Sequence, residues 1–145
     1  MNISGDVDFK VSIDKMWDAL HDTEILKSVI PGCESLTLNE NGEYDVKLKL
    51  GVAAVKGVYT GKVKLEDVEA PKYYILKAEG SGTPGHVDVT MHCKLSEKGD
   101  NACRLDWNCD AVVGGMIAGV GSRVLGGIAK FMANKFFKDI QKQLK

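Results

Sequence analysis

Apolar and polar residues alternate with a period of two along most of this chain, and one face of each alternating segment is nearly free of charge. The clearest case lies in the last third. Val87, Val89, Met91, Cys93 and Leu95 fall on one side of a strand that begins at His86. Cys103, Leu105, Trp107, Cys109, Ala111 and Val113 fall on the same side of a return strand. His86, Asp88, Thr90, His92, Lys94, Arg104, Asp106, Asn108 and Asp110 take the opposite face. This is the pattern of half-buried strands joined as a hairpin. Residues paired across antiparallel strands share a face, so parity constrains the register. Pairing Lys98 with Asn101 would oppose Cys93 to Asp106 and mix the faces. A three-residue turn centred on Gly99 opposes Cys93 to Leu105 and Met91 to Trp107, and this register is predicted. It leaves His92 facing Asp106 as a surface pair.

The same alternation predicts five earlier strands. Residues 3–11 turn Ile3, Gly5, Val7, Phe9 and Val11 inward, and a second strand covers 34–38. A third buries Tyr44, Val46, Leu48 and Leu50, a fourth Tyr59, Gly61, Val63 and Leu65, and a fifth Tyr74, Leu76, Ala78 and Gly80. Between the first two strands the period changes to that of a helix. Ser12 is placed as an N-cap before Ile13, Met16, Trp17 and Leu20, and Asp22 opens a second short helix that Pro31-Gly32 stops. A single long helix is predicted from Gly115 or Met116 to beyond Phe137. Its stripe runs through Ile117, Val120, Val124, Ile128 and Phe131, then Met132, Phe136, Ile140 and Leu144. Interior helical glycines each cost roughly 0.8–1 kcal/mol, so Gly119, Gly121, Gly126 and Gly127 imply close approach or empty volume. The predicted fold class is α+β. A seven-stranded, curved antiparallel sheet wraps around a long C-terminal helix, with two short helices between strands 1 and 2, a helix-grip fold in one domain over 1–145.

Composition narrows the function classes. A formal net charge of −1 exerts no overall pull toward nucleic acid. The outer lysines 47, 49, 62 and 64 are diluted by Glu43, Asp45 and Glu66, which reads as a solvated face. Four cysteines without close pair spacing predict free, buried thiols rather than a metal site or disulfides. With no secretory signal or membrane-spanning stretch, the expected location is the cytoplasm. His86 and His92 lie on one outward face about 20 Å apart, too far to share a metal. No catalytic constellation is expected, because the only inward polar groups are tyrosine hydroxyls and thiols. The candidate site is instead an apolar pocket between sheet and helix, floored by Gly61, Ala78 and Gly80. Its walls are Tyr59, Tyr74, Met91, Trp107, Ile117, Val120 and Val124. Small inward residues beside large rings point to a cavity rather than a filled core.

Several blocks carry a resemblance. They are Trp17, Leu20 and Asp22; Ile30-Pro31-Gly32-Cys33-Glu34; Gly57-Val58-Tyr59-Thr60-Gly61-Lys62-Val63; Ala78-Glu79-Gly80-Ser81-Gly82; and Val113-Gly114-Gly115 with Ile117-Ala118-Gly119-Val120-Gly121-Ser122-Arg123. Over its whole length the chain resembles the carbon monoxide dehydrogenase CoxG family, within the START-like (SRPBCC) helix-grip superfamily. The resemblance implies an accessory protein of a molybdenum-containing carbon monoxide dehydrogenase. It implies a quinone or isoprenoid lipid as an apolar, non-covalent ligand, and peripheral contact with the inner face of the cell membrane. Relatives often carry a further C-terminal membrane-contacting segment, whereas this sequence ends at Lys145. Residues 52–55, Val-Ala-Ala-Val, are more aliphatic than the proline-containing turn the resemblance leads one to expect. Two other readings stand beside the binding protein: a cyclase or hydrolase acting on an apolar substrate, and a recruitment module with a packed, ligand-free core.

Overall fold

The computed structural model describes residues 1–144. Seven strands form one antiparallel sheet: β1 (Asn2–Phe9), β2 (Cys33–Leu38), β3 (Tyr44–Leu50), β4 (Gly57–Glu69), β5 (Tyr73–Gly82), β6 (Gly85–Gly99) and β7 (Ala102–Gly114). The spatial order is β1-β7-β6-β5-β4-β3-β2. Strands β1 and β2 are therefore opposite edges of the sheet although they are successive in sequence. The chain between them must cross the whole concave face, and it does so as two short helices, α1 (Ile13–Leu20) and α2 (Thr23–Val29). Their starts are set locally. The Ser12 hydroxyl accepts from the Lys15 amide at 3.2 Å, and the Asp22 carboxylate accepts from the amides of Glu24 and Ile25. The long helix α3 (Ser122–Leu144) lies across the same concave face.

Three sequence expectations are corrected here. Strand β1 stops at Phe9, short of Val11, because the chain bends toward Ser12. In the β6–β7 hairpin Cys93 faces Trp107, Met91 faces Cys109 and Leu95 faces Leu105, so Cys93 does not oppose Leu105. The turn is the two-residue Asp100-Asn101, with Gly99 paired to Ala102, and a bulge at Lys98 inserts one further residue. The two-residue turn and the bulge together keep the inward set inward but slide the pairing by two positions from the three-residue-turn register. His92 consequently faces Asn108 rather than Asp106, and its Nδ1 lies 2.8 Å from the Tyr73 hydroxyl.

The C-terminal helix also begins later than the pattern predicts. Gly115 and Gly121 hold φ angles of +80° and +96°, and between them Met116–Val120 forms a single 3-10 turn. A left-handed residue cannot continue a right-handed helix, and glycine adopts that conformation without penalty. The helical phase therefore restarts at Ser122. From there α3 is unbroken through Gly126-Gly127. Leu125, Phe137, Ile140 and Leu144 are buried, whereas Val124 is 49% exposed and Phe131 64% exposed. The stripe that counted Val124 and Phe131 inward assumed one continuous helix and is displaced around the axis.

The C-terminal half of α3 is the anchored half. Phe137 meets Phe9 edge-on at 6.0 Å and Trp107 at 6.4 Å, within a cluster that includes Met16, Leu95, Leu105 and Ile140. The Gln141 side chain accepts from the Lys10 amide, and Gln143 donates to the Ser28 hydroxyl.

This phase has a direct consequence. Ile140→Ala should destabilise the fold by about 2–5 kcal/mol, whereas Phe131→Ala should change stability by no more than about 0.5 kcal/mol. Urea denaturation of the two variants checks it, and the reverse ranking would contradict the helix phase.

Candidate ligand-binding cavity

The buried residues fall into two clusters. One surrounds the anchored end of α3; the other comprises Val55, Tyr59, Ile117 and Leu125 near its first turn. Between sheet and helix the space is not filled. A first lobe of ≈ 410 Å³ lies beneath β3, β4 and β5 and the first turns of α3. Its walls include Leu48, Leu50, Val55, Tyr59, Val87, Val113, Ile117, Leu125, Ile128 and Met1. A second lobe of ≈ 290 Å³ lies nearer α1 and α2, against Leu20, Leu26, Pro31, Tyr44, Leu76, Met91, Cys93, Trp107, Ala133, Phe136 and Phe137. Tyr74 also lines it. Ile30, Leu36, Val63 and Met132 line both lobes, so the two adjoin across a shared aliphatic waist. Each lobe approaches or falls within the size of ordinary small-molecule pockets, about 300–1,000 Å³.

The small inward residues contribute differently. A Cβ at Gly61 would collide with the main-chain oxygen of Glu79 on the neighbouring strand, so Gly61 permits a close approach of β4 and β5. At Gly80 a Cβ would meet nothing nearer than 3.9 Å, so its missing side chain is real empty volume. Gly5 sits opposite Trp107 in the β1–β7 pairing, and a Cβ there would lie 2.9 Å from the indole. The ring is thereby seated flat against β1, 7% exposed, on the wall of the second lobe.

Polar groups are few. The Tyr59 hydroxyl donates to the Val55 carbonyl at 2.7 Å and is thereby engaged. Thr60 and Glu79 border the first lobe, but as exposed residues between inward neighbours they carry their side chains on the outer face of the sheet. In the second lobe Tyr74 and Cys93 face each other across β5 and β6. Burial pushes the Cys93 thiol up to about 11, only partly offset by its hydrogen bond with Tyr74, and holds the Tyr74 phenol well above the ordinary tyrosine range. Both are protonated at neutral pH and present donors, not charges. Behind Tyr74, Trp17 packs edge-on at 5.5 Å and stacks on His21 at 4.3 Å. The His21 Nδ1 lies 2.7 Å from the Trp17 carbonyl, which makes Nδ1 the donor and leaves Nε2 buried without a partner. All four cysteines are free, and among the described residues no group of three or more His, Cys, Asp or Glu is arranged to hold a metal ion.

The ten residues singled out from the sequence separate. Tyr59, Gly61, Ala78, Gly80 and Ile117 border the first lobe; Tyr74, Met91 and Trp107 border the second. Val120 packs on the cluster around Tyr59 without reaching either lobe, and Val124 faces outward, because of the helical restart at Gly121. The sequence reading missed the β3 and α3 walls, chiefly Leu48, Leu125, Ile128 and Met132, together with Phe136 and Phe137. The alternation of β3 already carried the first of these. The rest needed the correct phase of α3. Met1 was also missed: its amino group donates to the Ala111 carbonyl at 2.9 Å, which fixes its side chain as a wall.

Comparison with known proteins gives the following. The family model for the CoxG component of carbon monoxide dehydrogenase matches residues 5–145. The chain is similar to a solved conserved protein from Geobacillus kaustophilus at 37% identity and a TM-score of 0.96, covering 99% of this chain and 94% of that one. It shares its fold with a START superfamily protein from Mycobacterium smegmatis, at 11% identity, TM-score 0.78 and 99% coverage of both chains. The Zhui aromatase/cyclase from Streptomyces has the same fold at 12% identity and TM-score 0.74, covering 99% of this chain and 92% of that one. No curated protein matches the chain.

Two measurements follow from the packing and the buried acids. Gly61→Ala should cost about 1–3 kcal/mol through forced strand separation, whereas Gly80→Ala should be neutral or stabilise by up to about 1 kcal/mol; equal losses would contradict the difference in local space. The second concerns pH. Burial shifts the deprotonation of Cys93, Tyr74, Cys103 and Cys109 toward higher pH in the fold. Once the pH exceeds the ordinary thiol value of 9.0 the unfolded chain releases protons that the fold retains, so stability must fall as pH rises. Thermal melts should be flat in this respect up to about pH 9 and decline toward pH 11, with a shallower decline in Cys93→Ala. A melting temperature that holds or rises across that window would overturn the assignment.

Proposed function

Since the chain belongs to the carbon monoxide dehydrogenase CoxG family, we propose that it is a non-catalytic accessory protein holding a quinone or isoprenoid lipid for a molybdenum-containing, carbon monoxide dehydrogenase-type oxidoreductase. The observation that carries this reading is the two-lobed cavity, with hydrocarbon walls and a few protonated donors. Such walls favour an apolar ligand through burial of its surface, at roughly 25 cal/mol per Å² removed from water. The protein itself brings no redox centre to this reading; it delivers the ligand to the enzyme's site of electron exit. The cyclase/hydrolase reading has the fold of the Zhui enzyme behind it. It is less well supported, because Tyr74 and Cys93 stay protonated at neutral pH and so provide no general base.

The reading places the protein in the cytoplasm, in peripheral contact with the inner face of the membrane. Among the described residues no helix is long and apolar enough to cross a membrane. Peripheral contact would fall on the end of the molecule where Ala53–Val55 packs against Met116–Val120. Val52, Val58, Met116 and Val124 are exposed there, Met116 by 74%. Between 51 and 58 and between 115 and 124 there is no acidic residue, and Lys56 and Arg123 are the charged groups. Aliphatic side chains rimmed by cations suit an anionic lipid surface.

Titration with a long-chain quinone should quench Trp107 fluorescence, above a constant background from Trp17. Ala78→Trp should abolish the quench while the domain stays folded. If the lobe is empty space the overpacking penalty stays small; a filled core would lose roughly 1–3 kcal/mol. A badly destabilised variant of a protein that never responds to quinones would sink the reading. Native mass spectrometry of freshly purified protein supplies an independent check, in which a co-purifying lipid is expected.

A further inference from the structure

The two lobes differ in kind. Tyr44, Tyr74, Trp107, Phe136 and Phe137 bring five aromatic rings to the second lobe, whereas the first has Tyr59 alone among aliphatic walls. We propose that they divide a single ligand: a planar, carbonyl-bearing ring lies in the second lobe against Trp107 and Tyr74, and its aliphatic chain passes the waist at Val63 and Met132 into the first lobe. The proposal rests on the reading of the cavity as an apolar-ligand site and adds the direction in which the ligand lies.

Three observations fix that direction. Flat rings gain from offset or edge-on contact with other rings, and the aromatic walls are concentrated in one lobe. Trp107 is held in place from behind by Gly5 and from the side by Phe137 at 6.4 Å, so a slot beside it is preformed.

Hydrogen bonding separates the lobes in the same sense. A ring carbonyl taken from water needs a donor, and a buried acceptor without one is penalised. In the first lobe the hydroxyl of Tyr59 is already given to the Val55 carbonyl. In the second, the phenol of Tyr74 and the thiol of Cys93 both retain their protons at neutral pH and share one hydrogen bond between them, which leaves one proton of the pair for a ligand. The Trp17–His21 stack behind Tyr74 keeps its ring from rotating away.

Volume agrees. The larger space, ≈ 410 Å³ against ≈ 290 Å³, is the aliphatic one, and a flexible chain is the part of such a ligand that needs more room. The waist residues Ile30, Leu36, Val63 and Met132 are aliphatic, so a chain crossing between the lobes meets no polar group on its way. The reverse orientation would leave the ring carbonyls among Leu48, Val87 and Leu125 with no free donor, and would set a featureless chain against the aromatic slot.

The experiment uses the intact chain and three probes: menadione, a naphthoquinone ring without a chain; farnesol, an isoprenoid chain without a ring; and a long-chain menaquinone. Tyr74→Phe should weaken menadione about tenfold, the loss of one hydrogen bond, and leave farnesol unchanged. Ala78→Phe narrows the first lobe; it should weaken farnesol and the long-chain quinone at least about tenfold and leave the menadione quench of Trp107 intact. Loss of menadione binding in Ala78→Phe, with Tyr74→Phe unaffected, would reverse the orientation. Equal losses of every probe in both variants would mean that ring and chain are not separated. In the wild-type protein, intermolecular NMR contacts should connect the ring protons of bound menaquinone to Trp107 and its chain methyls to Val87. Contacts the other way round would overturn the proposal even if a variant failed to fold. If no probe binds the wild-type chain, it is the underlying function that fails, and the outcome is distinct from a reversed ligand.

Discussion

The seating of one half of one helix sets the rest of the structure. Phe137 and Ile140 on α3 pack into Phe9, Met16 and Leu105, and the side chains of Gln141 and Gln143 tie the same end to the β1–α1 bend and to α2. The opposite end enters through a left-handed glycine and a 3-10 turn. The sheet is broad and the helix narrow. With one end clamped, the other is held at a distance that the available side chains do not span, and the first lobe is the difference. Glycine and alanine at 80 and 78 keep the floor low, and Gly61 lets the two floor strands approach.

Such a space suits an apolar ligand. Its walls are mostly hydrocarbon, and the Tyr74 phenol and Cys93 thiol on them are neutral at physiological pH. What it offers is shape, hydrocarbon surface and a small number of oriented O–H and S–H groups. Those properties hold a molecule whose solubility in water is the problem to be solved.

Much of this was legible from the residues. Period-two alternation located all seven strands and assigned inward faces, because the sheet has one wet side and one dry side and the pattern must report it. Ser12 and Asp22 announced the helix starts through their capping chemistry. The failures share a cause: each depended on a single residue that alters phase. The two-residue turn and the bulge at Lys98 together shift the register by two, which leaves parity unchanged, so a parity test cannot detect the slide. Gly121 resets the helix, and glycine at that position reads equally well as a helical glycine with space beside it. Val124 was consequently assigned to the wrong side, while Met132 and Phe136 were recognised as apolar but not as cavity walls. The division into two lobes was not legible at all, since it depends on how far α3 stands from β4.

At the first lobe the split core also separates what the chain needs in order to fold from what it needs in order to recognise. Folding rests on the clamped end, where Phe9, Met16, Leu105 and Ile140 are fully enclosed. Around the first lobe recognition rests on aliphatic positions over a space, where a methyl gained or lost changes the shape of the hollow more than the integrity of the domain, whereas the second lobe borrows Tyr74, Trp107 and Phe137 from the folding cluster. An architecture arranged in this way can drift in ligand preference without passing through unfolded intermediates.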